Sequence, residues 1–266
     1  MTRQAPRHHR RLVIAGVIVT VAATGVVAWM LPSNSSGALG PEGICRERTF
    51  EGAEYVVCEL SPRDHSIGVF QNEMIAGEAT VPGFMARRLG RHPPVLVAMN
   101  GGMYREDLSP LGLLIEEGLE VAPINLAEAD GNFYMKPNGV FFITRDGDAG
   151  VMPSEAFDEV RQSVLSATQS GPLLVQNGLL HPDIQPNGRS RHIRNGVGVK
   201  DDGTVVLAIS REPVSFGALA RALRDEFDCP DALYLDGFVS ALVERDGLTV
   251  GGDRPAGPII AVSQRR

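Results

Sequence analysis

The spacing of apolar residues predicts a domain built mainly from β-strands. Short apolar or alternating runs recur along the chain, and small or polar turn residues bound them. The predicted strands are residues 55–60, 66–70, 95–100, 139–144, 172–176, 196–200, 205–210, 232–236, 240–245 and 248–251. Several end in Asp-Gly or Asn-Gly pairs, which accept the positive φ angles of tight hairpin turns. Those pairs are Asp146-Gly147, Asn177-Gly178, Asp202-Gly203 and Asp246-Gly247. We therefore expect antiparallel pairing to dominate.

Apolar residues repeat at helical spacing in three places. Residues 216–227 place their apolar side chains on one face, the pattern of a helix packed on a sheet. Residues 81–89 and 154–164 are weaker helix candidates, the second with Ser154 as its N-cap. Strands do not alternate regularly with these helices. The pattern therefore predicts an α+β fold of mostly antiparallel strands with a few packed helices, rather than a doubly wound parallel sheet.

One long apolar segment precedes this domain. Residues 12–31 carry no charge, and residues 1–11 carry four arginines. Twenty helical residues span about 30 Å, the thickness of a bilayer core, and basic flanks stay in the cytoplasm. We expect a transmembrane anchor at residues 12–31, a Pro/Ser/Asn/Gly-rich linker at residues 32–44, and a domain at residues 45–266 outside the cytoplasm. A cleaved signal peptide is the alternative, and it would also export the domain.

Charge is distributed unevenly along the 266 residues, whose formal net charge is −7. The first 40 residues hold four of the 25 basic residues and no acidic residue, so the remaining 21 basic residues face 32 acidic residues and carry a net charge of −11. An acidic body repels the phosphates of nucleic acid, which argues against a nucleic-acid partner. The composition, 43% hydrophobic and 21% charged, excludes a disordered chain and a coiled coil.

The three cysteines fit an exported domain. Cys45 and Cys58 flank a polar stretch in which Gly52 offers a turn, so two short strands would place the thiols opposite each other. Such a disulfide would contribute roughly 3 kcal/mol of stability. Cys229 is left over. A zinc site is the alternative for these thiols, but the chain has no CxxC pair and no HxxxH spacing.

Five short segments place small and polar residues where predicted strands end, which is where loops usually present functional groups. Their candidate residues are Asn100, Gly101, Gly102, Tyr104, Asp107, Asn138, Gln169, Ser170, Arg194, Asn195, Asp236 and Ser240. Asp236 is the most informative of them, because packing does not explain a carboxylate that ends a buried apolar strand and precedes a glycine. It predicts a functional acid.

Three other candidates carry a physical expectation of their own. Gly101 and Gly102 allow a sharp turn that exposes backbone N–H groups to a ligand oxygen. The guanidinium of Arg194 can hold a phosphate or carboxylate through two parallel hydrogen bonds. Ser170 lies beside a glycine, but no GxSxG pattern surrounds it, so a serine hydrolase is not favoured. The isolated His192 is a further candidate base or ligand, with simple exposure as the alternative.

Taken in order, these segments resemble the phosphodiester glycosidase family, and most closely its bacterial exported branch. The resemblance covers residues 45–263, including the early cysteine pair. It is carried by Met-Asn-Gly-Gly-Met-Tyr at residues 99–104, Ser-Pro-Leu-Gly-Leu at 109–113, Gly-Asn-Phe at 131–133, Lys-Pro-Asn-Gly-Val-Phe at 136–141, Gln-Ser-Gly-Pro at 169–172, Arg-Asn-Gly-Val-Gly at 194–198 and Leu-Asp-Gly at 235–237. The family reaction cleaves a sugar C1–O bond whose leaving group is a phosphate monoester.

The resemblance implies roles for the candidate residues. Arg194 is expected to hold the phosphate, Asp236 to act as base or nucleophile, and Asp107 to be the second carboxylate or a sugar-hydroxyl acceptor. The substrate-orienting set is expected to be Asn100, Gly101, Gly102, Tyr104, Asn138, Gln169, Ser170, Asn195 and Ser240. Family members that act on N-acetylglucosamine phosphodiesters often read Asp-Gly-Gly-Gly-Ser, whereas Phe238 stands beside the acid here. A glycan phosphodiester of the cell envelope or extracellular space is the expected substrate.

Two alternatives stay open at this level. A non-catalytic glycan-binding module on a membrane tether would use Tyr104, Phe133, Tyr134 and Phe238 as stacking surfaces and would tolerate loss of Asp236. A structural partner in an envelope complex would instead expose an apolar patch. The sequence indicates no cofactor, although a divalent ion near Asp236 or Asp107 is an alternative, and it assigns no oligomeric state.

Overall fold

The computed structural model describes residues 43–72, 79–90, 92–245, 247 and 249–265. The predicted basic segment and transmembrane anchor lie outside the described residues, as does most of the predicted linker. In the part of the chain that is described, no helix has the length and apolar character needed to cross a membrane. The proposed division of the chain at residue 45 stays a prediction.

Seven strands form the largest sheet, in the order β1-β2-β13-β12-β14-β10-β11. The strands are β1 (Cys45–Phe50), β2 (Ala53–Leu60), β10 (Leu173–Gln176), β11 (Leu179–Leu180), β12 (Asn195–Val199), β13 (Val205–Ser210) and β14 (Asp231–Tyr234). All six neighbouring pairs in this sheet are antiparallel, as the hairpin signals predict.

Two five-stranded antiparallel sheets complete the strand framework. The second sheet has the order β16-β15-β4-β17-β3, with β3 (His65–Phe70), β4 (Val95–Asn100), β15 (Leu242–Glu244), β16 (Thr249–Val250) and β17 (Ile259–Gln264). The third sheet has the order β6-β5-β9-β7-β8, with β5 (Leu114–Glu116), β6 (Leu119–Ala122), β7 (Gly139–Thr144), β8 (Ala149–Pro153) and β9 (Val164–Ser170).

One apolar core is shared by all three sheets, and strands of the largest sheet are buried on both faces. Val56 and Cys58 of β2 face this shared core together with Met99 and Phe141 of the other two sheets. The intervening residues of β2 face the opposite side, where a helix covers the sheet. This arrangement follows from the two-residue period of a strand, and it explains why these strands read as continuous apolar runs rather than alternating ones.

Two helices confirm the sequence-based assignments. The helix α1 (Val81–Arg88) packs on the second sheet, and the Thr80 side chain caps it by accepting from the Gly83 amide at 3.0 Å. The helix α2 (Phe216–Arg221) continues into a π-helical turn, Ala222–Glu226, and packs on the largest sheet.

The prediction of a helix at residues 154–164 is wrong. Two short 3₁₀ segments, Ser154–Glu159 and Arg161–Ser163, occupy this stretch, and strand β9 begins at Val164. Ser154 does not cap a helix; its hydroxyl instead accepts a hydrogen bond from the Gln169 side chain at 3.0 Å. Phe157 is fully buried against the third sheet, so the apolar spacing reflects packing of short turns rather than an α-helix.

The predicted disulfide joins Cys45 to Cys58 across the β1–β2 hairpin. The two cysteines face each other in the strand register, and the hairpin turns at Glu51 and Gly52, both with positive φ. At the entry to β1, the buried Glu244 side chain accepts hydrogen bonds from the amides of Ile44 and Cys45. The start of the described domain is therefore attached to both the first and the second sheet.

Candidate active site

Asp236 lies where the largest sheet meets the second sheet. It follows β14 by two residues, and its backbone is held by the end of β4. The Asp236 amide donates to the carbonyl oxygen of Gly101 at 3.2 Å, and the side-chain amide of Asn100 donates to the Asp236 carbonyl oxygen at 2.9 Å. Two sheets therefore fix the position of this residue.

A chain of buried polar side chains extends from this point. Asn195 donates to the side-chain oxygen of Asn100 at 3.0 Å, and the Ser240 hydroxyl donates to the side-chain oxygen of Asn195 at 3.0 Å. The Asn100 oxygen also accepts from the Ala241 amide at 2.9 Å. The sequence predicted these residues together, and the structure brings them together. Their polar atoms are engaged with one another and with the backbone, so they hold the Asp236 loop in place.

The Asp236 carboxylate is half-buried and differs in chemistry from an exposed acid. One of its oxygens accepts from the Phe238 amide at 3.0 Å. Burial raises the pKa of this carboxyl above its ordinary value, and the Phe238 hydrogen bond offsets only part of that rise. A raised pKa makes the ionised carboxylate a stronger base than a solvated aspartate.

Two tyrosines flank Asp236. Burial raises the pKa of both phenols, and the negative charge of Asp236 raises it further in each case. The Tyr104 hydroxyl donates to the carbonyl oxygen of Pro255 at 2.5 Å. The Tyr234 hydroxyl lies beneath Gly237, where an added Cβ would come within 1.7 Å of its oxygen. Glycine is therefore required after the aspartate because the turn lies directly on a tyrosine hydroxyl.

Arg194 does not fit the predicted phosphate-holding role. Its side chain is 1% exposed, and its guanidinium stacks on the Phe216 ring at 3.6 Å. Its hydrogen bonds go to the Tyr234 hydroxyl at 2.9 Å, to the Val214 carbonyl at 3.0 Å and to Ser190. Burial lowers the pKa of this guanidinium. Arg194 therefore supports Tyr234 and the Asp236 turn from below. We call Asn100, Arg194, Asn195 and Ser240 the site floor.

The predicted backbone donors are also engaged within the protein. The Gly101 amide donates to the carbonyl oxygen of Pro258 at 2.6 Å, and the Gly102 amide donates to the Thr168 hydroxyl at 3.1 Å. A Cβ on Gly102 would lie 2.1 Å from the Gln169 carbonyl oxygen. Gly101 therefore packs closely on Pro258, just before β17, and Gly102 packs on β9. Both amides donate within the protein rather than to a ligand oxygen, which corrects the sequence-based expectation.

Three further candidates are buried beside this packing contact. Gln169 accepts hydrogen bonds from two backbone amides and donates to the Asn125 carbonyl and the Ser154 hydroxyl, so its side chain is fully engaged. Asn138 and Ser170 are fully buried. The Asn138 side-chain oxygen and the Ser170 hydroxyl have no hydrogen-bond partner among the described residues. All three lie in the interior, which does not fit direct contact with a substrate.

The hydrogen bonds of the Asp107 side chain go to Ser109 and to none of the other candidate residues. Its carboxylate is exposed and accepts from the amide and hydroxyl of Ser109 at 2.9 and 2.5 Å. These two hydrogen bonds lower the pKa of Asp107, whereas burial raises that of Asp236. Asp107 therefore stabilises its own turn, and its geometry does not support the predicted role as second carboxylate.

The remaining candidates are divided between surface and interior. His192 is exposed and contributes only a backbone bridge to Val214 among its described contacts. Phe133 is 2% exposed, so it offers no stacking surface, whereas Tyr134 is half-buried. Among the described residues, no group of three or more His, Cys, Asp or Glu side chains is placed to hold a metal ion.

The sequence carries no signal of one cation that contacts Phe238, two residues after Asp236. Arg254 lies in the loop between β16 and β17, and its guanidinium carbon is 4.3 Å from the centre of the Phe238 ring. Phe238 is 77% exposed. We call Phe238 and Arg254 the site rim. The segment Gly-Gly-Asp-Arg-Pro at residues 251–255 has the composition of an ordinary turn, so its sequence gives no signal of function.

Fold and site together define a strand-rich α+β domain that presents one half-buried carboxylate where two sheets meet. A family model described as phosphodiester glycosidase matches residues 94–262. The chain therefore belongs to the phosphodiester glycosidase family, which confirms the resemblance read from its motifs.

One curated protein is similar to this chain in sequence, and solved structures share its fold. The uncharacterized protein YigE of Escherichia coli (strain K12) is 37% identical over 171 residues, 64% of this chain and 66% of that protein. This match spans slightly less than two thirds of the relative's length. The auto-inhibited catalytic domain of zebrafish N-acetylglucosamine-1-phosphodiester alpha-N-acetylglucosaminidase shares the fold, with a TM-score of 0.60 and 17% identity over 83% of this chain and 82% of that one. A Synechocystis protein has a TM-score of 0.55 and 14% identity over 83% of this chain and 61% of its own.

Proposed function

We propose that the chain is an exported, membrane-tethered hydrolase that cleaves the glycosidic bond of a sugar-1-phosphodiester in a cell-envelope or extracellular glycan. The observation that carries the proposal is the half-buried Asp236 carboxylate, which accepts from the Phe238 amide and whose backbone is hydrogen-bonded to Asn100 and Gly101 at the end of β4. A buried carboxylate with a raised pKa is costly to maintain and is typical of catalytic acids and bases. Membership of the phosphodiester glycosidase family supports the glycosidase class.

The chemistry fits a single carboxylate. In the proposed reaction the sugar C1–O bond breaks, its electron pair stays on the phosphate oxygen, and water supplies the hydroxyl group to C1. Phosphate is a good leaving group, so the reaction needs less general-acid help than hydrolysis of an alkyl glycoside. The main demands are an activated water or nucleophile and stabilisation of charge. Asp236 supplies the first, as a base toward water or as the nucleophile at C1.

The extracytoplasmic location is supported by two features. The disulfide between Cys45 and Cys58 persists in oxidising compartments outside the cytoplasm. The uncharged segment at residues 12–31 with its basic flank has the pattern of an anchor that leaves the remaining chain outside. A cell-envelope or extracellular glycan is the substrate that such a position makes accessible.

The reaction is tested with the full chain and a panel of methyl phosphodiesters of sugar-1-phosphates. The panel begins with N-acetylglucosamine, the sugar in the zebrafish enzyme's name, and includes glucose, galactose and mannose. We expect release of methyl phosphate and free sugar from at least one member. Asp236→Asn should lower kcat/KM on that substrate about 1,000-fold, because the variant lacks the base or nucleophile.

A matched control separates catalysis from loss of a turn. Asp202 accepts from the Thr204 amide at 2.9 Å in a hairpin, as Asp236 accepts from Phe238, so Asp202→Asn makes the same chemical change at another turn. Its activity should stay within about twofold of the wild type. Full activity in Asp236→Asn would remove this residue from the mechanism, and absence of hydrolysis across the panel would overturn the proposed reaction.

A non-catalytic glycan-binding module is the second candidate, and the exposed Phe238 ring favours it. A ring that is 77% exposed offers a stacking surface for a sugar. This function predicts that both wild type and Asp236→Asn bind a glycan with equal affinity while the wild type releases no product.

A further inference from the structure

The proposed chemistry leaves the site rim without a role, although the rim contains an arginine with unused hydrogen-bonding capacity. The Arg254 guanidinium stacks on Phe238, and one of its nitrogens donates to the Phe238 carbonyl oxygen at 3.5 Å, the long limit of a hydrogen bond. Arg254 takes part in none of the salt bridges found in the described residues. Its charge is therefore available to a ligand.

Arg254 and Asp236 both contact Phe238. The Phe238 amide binds the Asp236 carboxylate directly, and the Phe238 ring carries the guanidinium. On the other side, the Tyr104 phenol senses both charges: Asp236 raises its pKa and Arg254 lowers it. Anion and cation therefore share two aromatic neighbours, Phe238 and Tyr104.

The loop that carries Arg254 is held by residues from other elements. Tyr104 donates to the Pro255 carbonyl oxygen, and Asn72 donates to the Ala256 carbonyl oxygen at 2.8 Å. The Ala256 amide in turn donates to the carbonyl oxygen of Ala79 at 2.7 Å. Because the residues immediately after Arg254 are fixed, its guanidinium has little freedom to lose when it binds an anion.

We propose that Arg254 and Phe238 form the subsite for the phosphate group of the substrate. The proposal rests on the proposed function and replaces the role that the sequence assigned to Arg194. A guanidinium can face two phosphate oxygens through parallel hydrogen bonds while its plane stays on the aromatic ring. The acidic remainder of the chain, with a net charge of −11, repels phosphate, so binding requires a local cation of this kind.

The subsite contributes to the reaction as well as to binding. When the C1–O bond breaks, a phosphodiester with one negative charge becomes a phosphate monoester with one more. A guanidinium at the phosphate stabilises the charge that develops on the leaving oxygen. Loss of Arg254 should therefore reduce kcat as well as raise KM.

The test compares two leaving groups on one sugar. For the methyl phosphodiester that the wild type hydrolyses fastest, Arg254→Ala should lower kcat/KM about 30-fold, in the range of a charged hydrogen bond. Hydrolysis of the 4-nitrophenyl glycoside of the same sugar should change by less than about threefold, because that substrate has no phosphate. Arg254→Lys should lose about tenfold on the phosphodiester, since an ammonium cannot bind two oxygens in parallel. Phe238→Leu should lose about threefold.

Arg63→Ala is the matched control, because it removes one exposed arginine elsewhere on the surface. It should leave both substrates within twofold of the wild type. An Arg254→Ala variant that keeps full phosphodiester activity overturns the proposal. An equal loss on both leaving groups also overturns it, because the residue would then act on the sugar or on the fold.

A binding measurement keeps the subsite separate from the reaction. The affinity of the full chain for methyl phosphate is measured by phosphorus-31 NMR in wild type, Arg254→Ala and Arg63→Ala. Weaker binding in Arg254→Ala alone supports the subsite even if no substrate of the panel is hydrolysed, a result that would overturn only the proposed function. Equal binding in all three overturns the subsite.

Discussion

The site floor and the site rim contain one arginine each, and the two arginines behave in opposite ways. Arg194 in the floor is buried, stacks on Phe216 and donates hydrogen bonds to three neighbouring residues. Arg254 in the rim is exposed, stacks on Phe238 and makes one hydrogen bond of 3.5 Å. The guanidinium of Arg194 therefore stabilises the fold, whereas the guanidinium of Arg254 has hydrogen-bond donors left for a ligand.

The motifs that are recognisable in the sequence lie mainly in the interior of this molecule. The residues of the Asn-Gly-Gly, Arg-Asn-Gly and Gln-Ser-Gly motifs are buried, and most of their polar atoms are paired. A buried polar group must be paired to avoid a desolvation penalty, so a motif of this kind reports first on structure.

The largest expected effect tests the floor against the rim directly. Arg194→Leu should lower the free energy of unfolding by about 3 kcal/mol, because the buried Tyr234 hydroxyl loses its charged donor and the Val214 carbonyl keeps only the His192 amide. Arg254→Leu should change it by less than about 0.5 kcal/mol, as expected for an exposed position. Denaturant unfolding with the disulfide intact measures both. Equal losses in the two variants would remove the distinction between floor and rim.

An intermediate effect is expected at Gly237, which lies in the turn between Asp236 and Phe238 and packs on the Tyr234 hydroxyl. Gly237→Ala should destabilise the protein by about 1–3 kcal/mol, because its Cβ would approach the Tyr234 hydroxyl oxygen to 1.7 Å and the turn must move. Displacing Asp236 by about 1 Å should lower kcat roughly 100-fold. The control is Gly90→Ala, since no heavy atom lies within 4 Å of a Cβ there. An active and stable Gly237→Ala would mean that the turn is not rigidly positioned.

The smallest effect concerns pH and sharpens the role of Asp236. Because burial raises the pKa of Asp236, kcat/KM should fall as pH decreases through a value above about 3.9, the ordinary pKa of aspartate. The folded state binds this proton more tightly than the unfolded state, so ionisation of Asp236 lowers stability as pH rises through that window. The unfolding free energy of Asp236→Asn should lack this decline. A pH-activity profile and unfolding at several pH values measure the two effects, and an acid limb at the ordinary aspartate pKa would contradict them.

The sequence predicted the framework of the fold well where periodicity was strong. Strands β4, β7 and β13 begin and end where the apolar runs do. Strand β17, which lies between β4 and β3, was missed, although its apolar run Ile259–Val262 is equally clear and the Gly257-Pro258 pair before it is a turn signal. The helix predicted at residues 154–164 was wrong because tight 3₁₀ turns can bury the same apolar positions.

The membership of the site was easier to predict than the role of each member. Asn100, Asn195, Asp236 and Ser240 come from three separate segments of the sequence and meet as the ordered motifs predict. Whether an amide or guanidinium faces a ligand or a carbonyl depends on hydrogen bonds between distant elements, and no local pattern encodes these. Arg194 was assigned to phosphate for this reason, and Arg254 had no pattern to reveal it.

The attachment of the Arg254 loop has a consequence for how substrate preference could change. The loop is fixed by hydrogen bonds to Pro255 and Ala256, the two residues after Arg254, while Gly251 and Gly252 before Arg254 adopt positive φ angles. None of the floor residues belongs to this loop. Under the proposed function, we expect that exchanging residues 253 and 254 together with residue 238 alters which leaving group is accepted, while the two sheets and Asp236 stay as they are. The proposed phosphate subsite is thus separate from the scaffold, and one short loop would be the place to change it.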